Sequence, residues 1–384
     1  MKLSDMAVIS AGQGAPQGES AYGTEGVPFI KAGDLASLVA CKKESEIQHV
    51  NESVAKKHRL KIYPAGSILF AKSGMSCMKG YVYKTESPCY VVSHLAIIIP
   101  TGCDGDYLKY YFQFHKPNSL VKDAAYPSIS LADIGEMEIN LPTQVEQQKI
   151  VNELEKVTEL IALRKEQLAK LDQLVKSRFI ELFGTGKYPT VKAADVCDFI
   201  TKGTTPPTGE ITEKYEIGMI PYLKVYNLSF TGELLFDSMP QYIPAETHNK
   251  QLARSKVVPN DVLMNIVGPP LGKFSLITDE FPEWNINQAI AIFRAKDRVL
   301  PRYLLAALMQ PDVVRPILEQ AVGIRQLNLS LEQCRNLEFP LPPIEEQKAF
   351  VKFSEQTDKS KLAIQQSLDK LELLKKSLMQ EYFG

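Results

Sequence analysis

The chain has 384 residues, enough for two or three domains that each bury a core of their own. Its 45% hydrophobic and 23% charged content is that of a soluble globular protein, and no apolar run approaches the roughly 18 residues a membrane span needs. The net charge of −1 excludes a chain that is basic throughout. Basic and acidic residues number 14 and 14 in 1–140, 7 and 7 in 141–184, 16 and 17 in 185–340, and 7 and 7 in 341–384, so any positive surface must come from segregation of charge by face.

The first ten residues carry Lys2 and Asp5 and lack an apolar core, so no secretory signal is expected. Six cysteines (Cys41, Cys77, Cys89, Cys103, Cys197, Cys334) form no CxxC pair and have no His at metal-ligand spacing. They read as reduced thiols of a cytoplasmic protein. Residues 1–140 read as mixed α/β, with short β-rich runs at 81–83 and 90–99 set between Gly/Pro turns and one or two short helices. The cluster Lys56-Lys57-His58-Arg59 is either the exposed face of a short helix or a phosphate-binding patch.

From 145 to 182 there is no proline or glycine, and helix formers dominate. Pro142 stands just ahead of this stretch and Gly184 just behind it, which predicts one long helix. Apolar residues recur at 4-3 spacing at Ile150, Leu154, Val157 and Ile161, then at Leu168, Leu171, Val175 and Leu182, with Arg164 and Arg178 interrupting. That is a coiled-coil-like seam. A second mixed α/β segment follows, with β-rich runs at 274–277 and 289–293, and then a second helical stretch with Ile364, Leu368, Leu371 and Leu378 on the same register. Early in that copy Ser354, Thr357 and Lys361 fall on the seam.

The chain is written twice. Residues 141–184 laid over 341–384 without a gap share 15 of 44 positions: Leu141, Pro142, Glu146, Gln147, Val151, Glu155, Leu168, Lys170, Leu171, Leu174, Lys176, Ser177, Glu181, Phe183 and Gly184. The preceding segments repeat more faintly. Pro28-Phe29-Ile30-Lys31 matches Pro221-Tyr222-Leu223-Lys224, and the turn Pro64-Ala65-Gly66 leading into Ile68-Leu69 matches Pro259-Asn260-Asp261 leading into Val262-Leu263. Glycine loops at 74–80 and 268–272 follow, then Tyr107-Leu108 with Tyr303-Leu304, and Ile129-Ser130-Leu131 with Leu329-Ser330-Leu331.

Neither long helix can bury its stripe on itself. About 38 residues at 1.5 Å each make a rod of about 57 Å, and the natural partner is the other copy, paired antiparallel. Packing of each helix onto its own domain or onto another chain is the alternative.

The run Leu341-Pro342-Pro343-Ile344-Glu345-Glu346-Gln347-Lys348, its partner at 141–148 and the closing Phe-Gly resemble the helical regions of specificity (S) subunits of type I restriction-modification systems. The turn-strand-loop segments 64–80 and 259–273, and Asn287-Gln288 ahead of a β-run, resemble that family's target-recognition domains. The resemblance covers essentially the whole chain. It departs in the first unit, where His94 is read at the place of Gln288 and the glycine loop is longer.

The resemblance implies an α+β architecture in which two similar recognition domains (1–140 and 187–340) are separated by helical spacers (141–186 and 341–384) that form an antiparallel coiled coil, a pseudo-twofold repeat. It implies a non-catalytic reader of double-stranded DNA, each domain taking one half of an asymmetric bipartite site. The implied partners are two methyltransferase (M) subunits and restriction/translocase (R) subunits. S-adenosylmethionine, ATP and Mg²⁺ are expected on those partners, with no cofactor in this chain. A rod of this size suits half-sites on the order of one DNA helical turn apart. A specificity subunit serving a fused methyltransferase-nuclease, a coiled-coil scaffold that never meets DNA, and an enzyme with two active sites are competing readings.

No catalytic or metal site stands out. The amino-methyltransferase motif, Asn or Asp before Pro-Pro-aromatic, is absent; Thr205-Pro206-Pro207-Thr208 and Gly268-Pro269-Pro270-Leu271 have the wrong ends. The segment 268–273 has the outline of a phosphate loop, but three residues separate its glycines where four should, and Phe274 replaces the Ser or Thr that would hold Mg²⁺. His49, His58, His94, His115 and His248 show no ligand spacing.

Base edges are read by Arg, Lys, Asn, Gln and Ser/Thr, and phosphates mainly by Lys, Arg and backbone amides. On glycine-flanked loops these types are Lys72, Ser73, Ser76 and Lys79, with Lys31 nearby, in the first unit. In the second they are Lys202, Thr204, Thr205, Lys224, Tyr226, Asn227, Lys273, Arg325 and Gln326. Each lysine could equally be a solvated surface charge.

Overall fold

Ile68-Leu69-Phe70-Ala71 and Leu95-Ala96-Ile97-Ile98 are apolar at every position, a pattern that a strand sustains only when both of its faces are covered. The computed structural model, which describes residues 1–184, 186–207, 209–321 and 327–384, buries all eight. The chain divides into two units, Met1–Arg164 with Ser367–Gly384, and Lys165–Gln366.

In the first unit four antiparallel strands lie in the order Ala7–Ala11, Leu95–Pro100, Ile68–Ala71, Val82–Lys84. A second sheet sets Val27–Ile30 between His49–Val50, antiparallel, and Tyr90–Val91, parallel. The β-rich run at 90–99 is therefore two strands. A turn closed by Leu95 N–H donating to the Val92 carbonyl takes the chain from one sheet to the other. Helix Gly105–Phe114 is capped by the Asp104 carboxylate, which accepts from the amides of Asp106 and Tyr107. It buries Tyr107, Leu108 and Phe112, the last with its ring 5.3 Å from that of Phe70 on the first sheet.

The second unit repeats the topology: Cys197–Lys202, Ile290–Ala295, Val262–Asn265, Phe274–Leu276 in one sheet. Tyr242–Ile243, Ile220–Leu223, Trp284–Ile286 and Lys256–Val257 make the other. The matched turns take the same form. Gly66 and Asn260 both hold positive φ (82° and 74°), and Ser130 and Ser330 both cap short helices through their hydroxyls. The single tryptophan, Trp284, is fully buried beside Phe236 and Phe281.

The two long helices are Gln144–Phe183 and Ile344–Phe383, 40 residues each. Thr143 and Glu146 form a reciprocal cap at the start of the first. In each unit a segment of one helix lies antiparallel to a segment of the other. In the first unit Tyr382 bonds Glu153, and Arg164 Nε donates to Ser367 Oγ at 3.2 Å. In the second Lys361 pairs with Asp172, and Phe179 meets Phe350 at 5.5 Å.

Of the seam residues, Leu154, Val157 and Leu368 are buried; Ile150, Ile161, Leu168, Leu171, Val175, Ile364, Leu371 and Leu378 are half-buried. Of the polar positions of the second copy, Ser354 and Thr357 are buried and Lys361 is half-buried. Thr357 Oγ1 donates to the Phe353 carbonyl, and Lys361 lies between Asp172 and Asp358. The strongest anchors lie at the helix ends. Phe383 packs on Tyr107 and Tyr111, and Phe183 on Tyr303 and Phe350.

The repeated Glu-Gln pair has a mechanical reason. Gln147 Oε1 accepts the amide of Asp104, and Gln347 Oε1 accepts that of Leu300, each the residue capping the short helix of its unit.

Candidate nucleic-acid interface

Strand register decides which loops share an end of the sheet. In the first unit Ala11 pairs with Ala96, and Ala71 with Leu95. Hence the segments beginning at Gly12 and Lys72, and the turn through Ser93-His94, all emerge together. Lys31 joins them, because the Val92 amide bonds the carbonyl of Ile30. The opposite end, beyond Pro100, is held to the long helix through Asp104 and Gln147.

A glycine fixes the first of these loops. A Cβ on Gly12 would lie 2.2 Å from the Val92 carbonyl oxygen, and one on Gly203 would lie 2.0 Å from that of Asn287. The chain can turn tightly over the neighbouring strand only because this atom is missing. Gln13 and Thr204 follow, with their amides on the carbonyls of Val91 and Ile286.

Lys72, Ser73, Ser76 and Lys79 lie on one loop. It is tied down by Ser73 Oγ to His94 Nδ1 (2.8 Å), by the Gly74 amide to the Pro127 carbonyl (3.0 Å) and by the buried Cys77. Lys31 stacks over Tyr22 at 3.9 Å and donates to Gln48. Sequence reasoning passed over Met75 and Tyr126, which are 70% and 81% exposed at this end of the sheet. Their signal would have been a large apolar side chain in a loop, Met75 beside Gly74 and Tyr126 ahead of Pro127.

In the second unit Lys202, Thr204 and Thr205 lead out of the strand, and Lys224 follows Ile220–Leu223 at the same end. Lys273 closes the glycine loop, its amide bonded to the buried Asn265 side chain and its ammonium 5.8 Å from the Phe230 ring. The Tyr226 hydroxyl is buried and, among the described residues, has no hydrogen-bond partner.

Two expectations are corrected. Asn227 is fully buried; it accepts from the Lys224 amide and donates to the carbonyls of Leu235 and Met239. It holds the turn that Asp34 holds after Lys31, and burial keeps it from a base. The counterpart of Gln288 is Ser93 and not His94. The amides of Val92 and Asn287 make the same bond to the second sheet, and the carbonyls of His94 and Ala289 accept from Lys72 and Ile266. Arg325 and Gln326 lie outside the described residues.

The cations are unevenly paired. Among the described residues Lys84, Lys109, Arg302 and Lys361, on the helix side, all form ion pairs. Lys31, Lys72, Lys79, Lys202, Lys224 and Lys273 form none within 4.0 Å among the described residues. The loop end of each sheet thus carries lysines with no acidic group within ion-pair distance among the described residues.

Burial pushes the thiols of Cys89, Cys197 and Cys334 up to about 12, so at neutral pH they are uncharged packing groups. No helix among the described residues is long and apolar enough to cross a membrane.

Residues 1–173 and 186–373 each match the type I restriction modification DNA specificity domain. Over 180 residues the chain is 28% identical to the type I restriction enzyme MjaIX specificity subunit of Methanocaldococcus jannaschii, covering 45% of this chain and 40% of that one. Over 109 residues it is 31% identical to the EcoBI specificity subunit of Escherichia coli, covering 28% and 22%. The matched stretches span less than half the length of either relative. Two solved structures share the fold. One concerns complex assembly and conformational transition of the type I R-M system (TM-score 0.58, 16% identity, 100% of this chain and 96% of that one). The other is the type I restriction-modification S subunit from M. genitalium (TM-score 0.54, 14% identity, 100% and 95%). Two matches to one domain family, together spanning nearly the whole chain, agree with the repeated topology: the chain belongs to the family of type I restriction modification DNA specificity domains.

Proposed function

We propose that this chain is the DNA-reading subunit of a type I restriction-modification complex. Each unit reads one half of an interrupted duplex site through the loop end of its sheet. One observation carries the reading. Residues on the helix side recur between the units, with Gln147 and Gln347, Tyr107 and Tyr303, and Phe183 and Phe383 in equivalent places. Four positions at the loop tips differ: Gln13 stands against Thr204, Ser73 against Val267, Ser93 against Gln288 and His94 against Ala289. A shared frame with divergent tips is what two readers of unlike sequences need, because donors and acceptors on base edges are matched by side-chain identity.

Lys31, Lys72, Ser73, Ser76 and Lys79 would act in one half, and Lys202, Thr204, Thr205, Lys224, Tyr226 and Lys273 in the other. Catalysis would belong to partners. Methyltransferase subunits carrying S-adenosylmethionine would dock on the long helices, whose outer faces expose Leu160, Leu163, Leu174, Leu362, Leu373 and Leu374. ATP and Mg²⁺ would serve restriction subunits.

The test is selection from a random duplex pool by the chain assembled with its methyltransferase partner. The expected product is one motif with two unlike blocks at fixed spacing. A continuous motif, or no enrichment from a well-formed complex, overturns the proposal.

A further inference from the structure

The chain repeats one more motif at the loop end. Arg59-Leu60-Lys61-Ile62-Tyr63-Pro64 and Arg254-Ser255-Lys256-Val257-Val258-Pro259 share the pattern Arg-x-Lys-x-x-Pro. Both copies meet the residue that follows the glycine fixed by close approach. In the first unit Gln13 grips the main chain on either side of the motif's second residue: its Nε2 donates to the Arg59 carbonyl at 3.0 Å, and its Oε1 accepts the Lys61 amide. In the second the bond is between side chains, with Arg254 Nε donating to Thr204 Oγ1 at 3.0 Å. Two different chemistries thus hold an arginine beside equivalent loop positions.

Arg59 also sits where an arginine is not the natural choice. It ends helix Glu52–His58 with φ 51°, ψ 43°, a left-handed conformation that glycine adopts freely and that costs an ordinary residue about 1 kcal/mol. If the site served only to stop the helix, glycine would serve better. The preceding Lys56 and Lys57 have local reasons: they lie in the last turn, favoured by the helix dipole, and Lys56 is paired with Glu52. Arg59 and Lys61 are exposed and, among the described residues, form no ion pair; the same holds for Arg254. Lys256 differs, since it is held by Asn249 and Glu283.

We propose that Arg59 with Lys61, and Arg254, are contacts of the two units to DNA backbone phosphates, two in one half-site and one in the other. This rests on the DNA-reading function. These residues set position and affinity, and the divergent loops beside them set sequence. The Arg254 guanidinium, already held by Thr204, loses less side-chain freedom on meeting a phosphate, and Gln13 fixes the main chain from which Arg59 and Lys61 project.

The test is the salt dependence of duplex binding by the chain assembled with its methyltransferase partner, on the selected site and on a scrambled duplex. Each phosphate contact contributes about 0.9 to the slope of log K against log salt. Arg59→Gly combined with Lys61→Gln should reduce the slope by about 2, and Arg254→Gln by about 1, on both duplexes, with the preferred sequence unchanged. Arg59→Gly relieves the left-handed strain, so a folding defect does not confuse the result.

Unchanged slopes in variants whose parent selects its split site would overturn the proposal and leave the reading function standing. A changed base preference without a changed slope would also overturn it, making these residues base contacts. A parent complex with no affinity for duplex DNA would overturn both.

Discussion

The glutamine that opens each long helix should be worth more in the second unit than in the first. Gln347 is fully buried and makes three hydrogen bonds: from the Leu300 amide (2.9 Å), to the Arg298 carbonyl (3.1 Å) and to the Pro342 carbonyl (2.9 Å). Gln147 makes two, from the Asp104 amide and to the Pro142 carbonyl. At about 1 kcal/mol for each bond lost, Gln347→Ala should cost about 3 kcal/mol and Gln147→Ala about 2 kcal/mol.

The single tryptophan makes the first measurable on its own, because Trp284 belongs to the second unit. For a unit of this size, 3 kcal/mol corresponds to a drop of roughly 6–12 °C in the Trp284 fluorescence transition. Gln147→Ala should instead lower a transition seen by far-ultraviolet dichroism and leave that of Trp284 nearly in place. Gln347→Glu should be worse than alanine, since it keeps the acceptor but buries a carboxylate against two carbonyls. A Trp284 transition within a degree or so of the parent in Gln347→Ala would refute the reasoning.

Gly203→Ala should lower stability by about 2 kcal/mol or more and abolish DNA selection by the half-site of that unit, because the added methyl meets main chain that cannot yield; chemical denaturation with site selection checks both. Asp261 is 1% exposed and binds Arg294 through both carboxylate oxygens, at 2.8 and 2.6 Å, so Asp261→Ala should cost about 3 kcal/mol by stranding the guanidinium. An equally stable variant, by the Trp284 transition, would contradict this. Burial pushes the His248 imidazole below its usual value against the upward pull of the Glu283 hydrogen bond, with Lys256 also lowering it. The folded chain therefore keeps His248 neutral where the unfolded chain takes up a proton. Its contribution is complete above about pH 6.5 and is lost as pH falls below that toward the depressed folded value. The Trp284 transition should fall more steeply between about pH 7 and pH 5.5 in the parent than in His248→Gln, and parallel curves would disprove the assignment.

The repeat and the long helices were legible because their signals are local and redundant. A stretch of helix formers without Pro or Gly at 145–182, with an apolar stripe at 4-3 spacing, signals a helix from local sequence alone, and Gln147 and Gln347 recur because each makes the same bond. The β-rich units were harder. Insertions between strands slide the register, so His94 seemed to match Gln288 until the sheet showed that Ser93 does. Asn227 reads as a base reader by type and loop position, and only its burial shows it to be the hinge of a turn. Arg59 was absorbed into a run of helical cations. What separates it is its left-handed backbone and the grip of Gln13, a residue 46 positions away, and neither is visible in spacing.

The central claim is tested most directly by mapping methylated adenines across the genome of a methylation-free host that expresses this chain with the methyltransferase subunit proposed as its partner. The parent should mark one motif of two unlike halves with a fixed gap. A chimera with residues 187–340 replaced by those of a relative should change one half and leave the other half and the gap intact. A motif altered in both halves by that exchange, or no methylation from an assembled complex, would contradict the account.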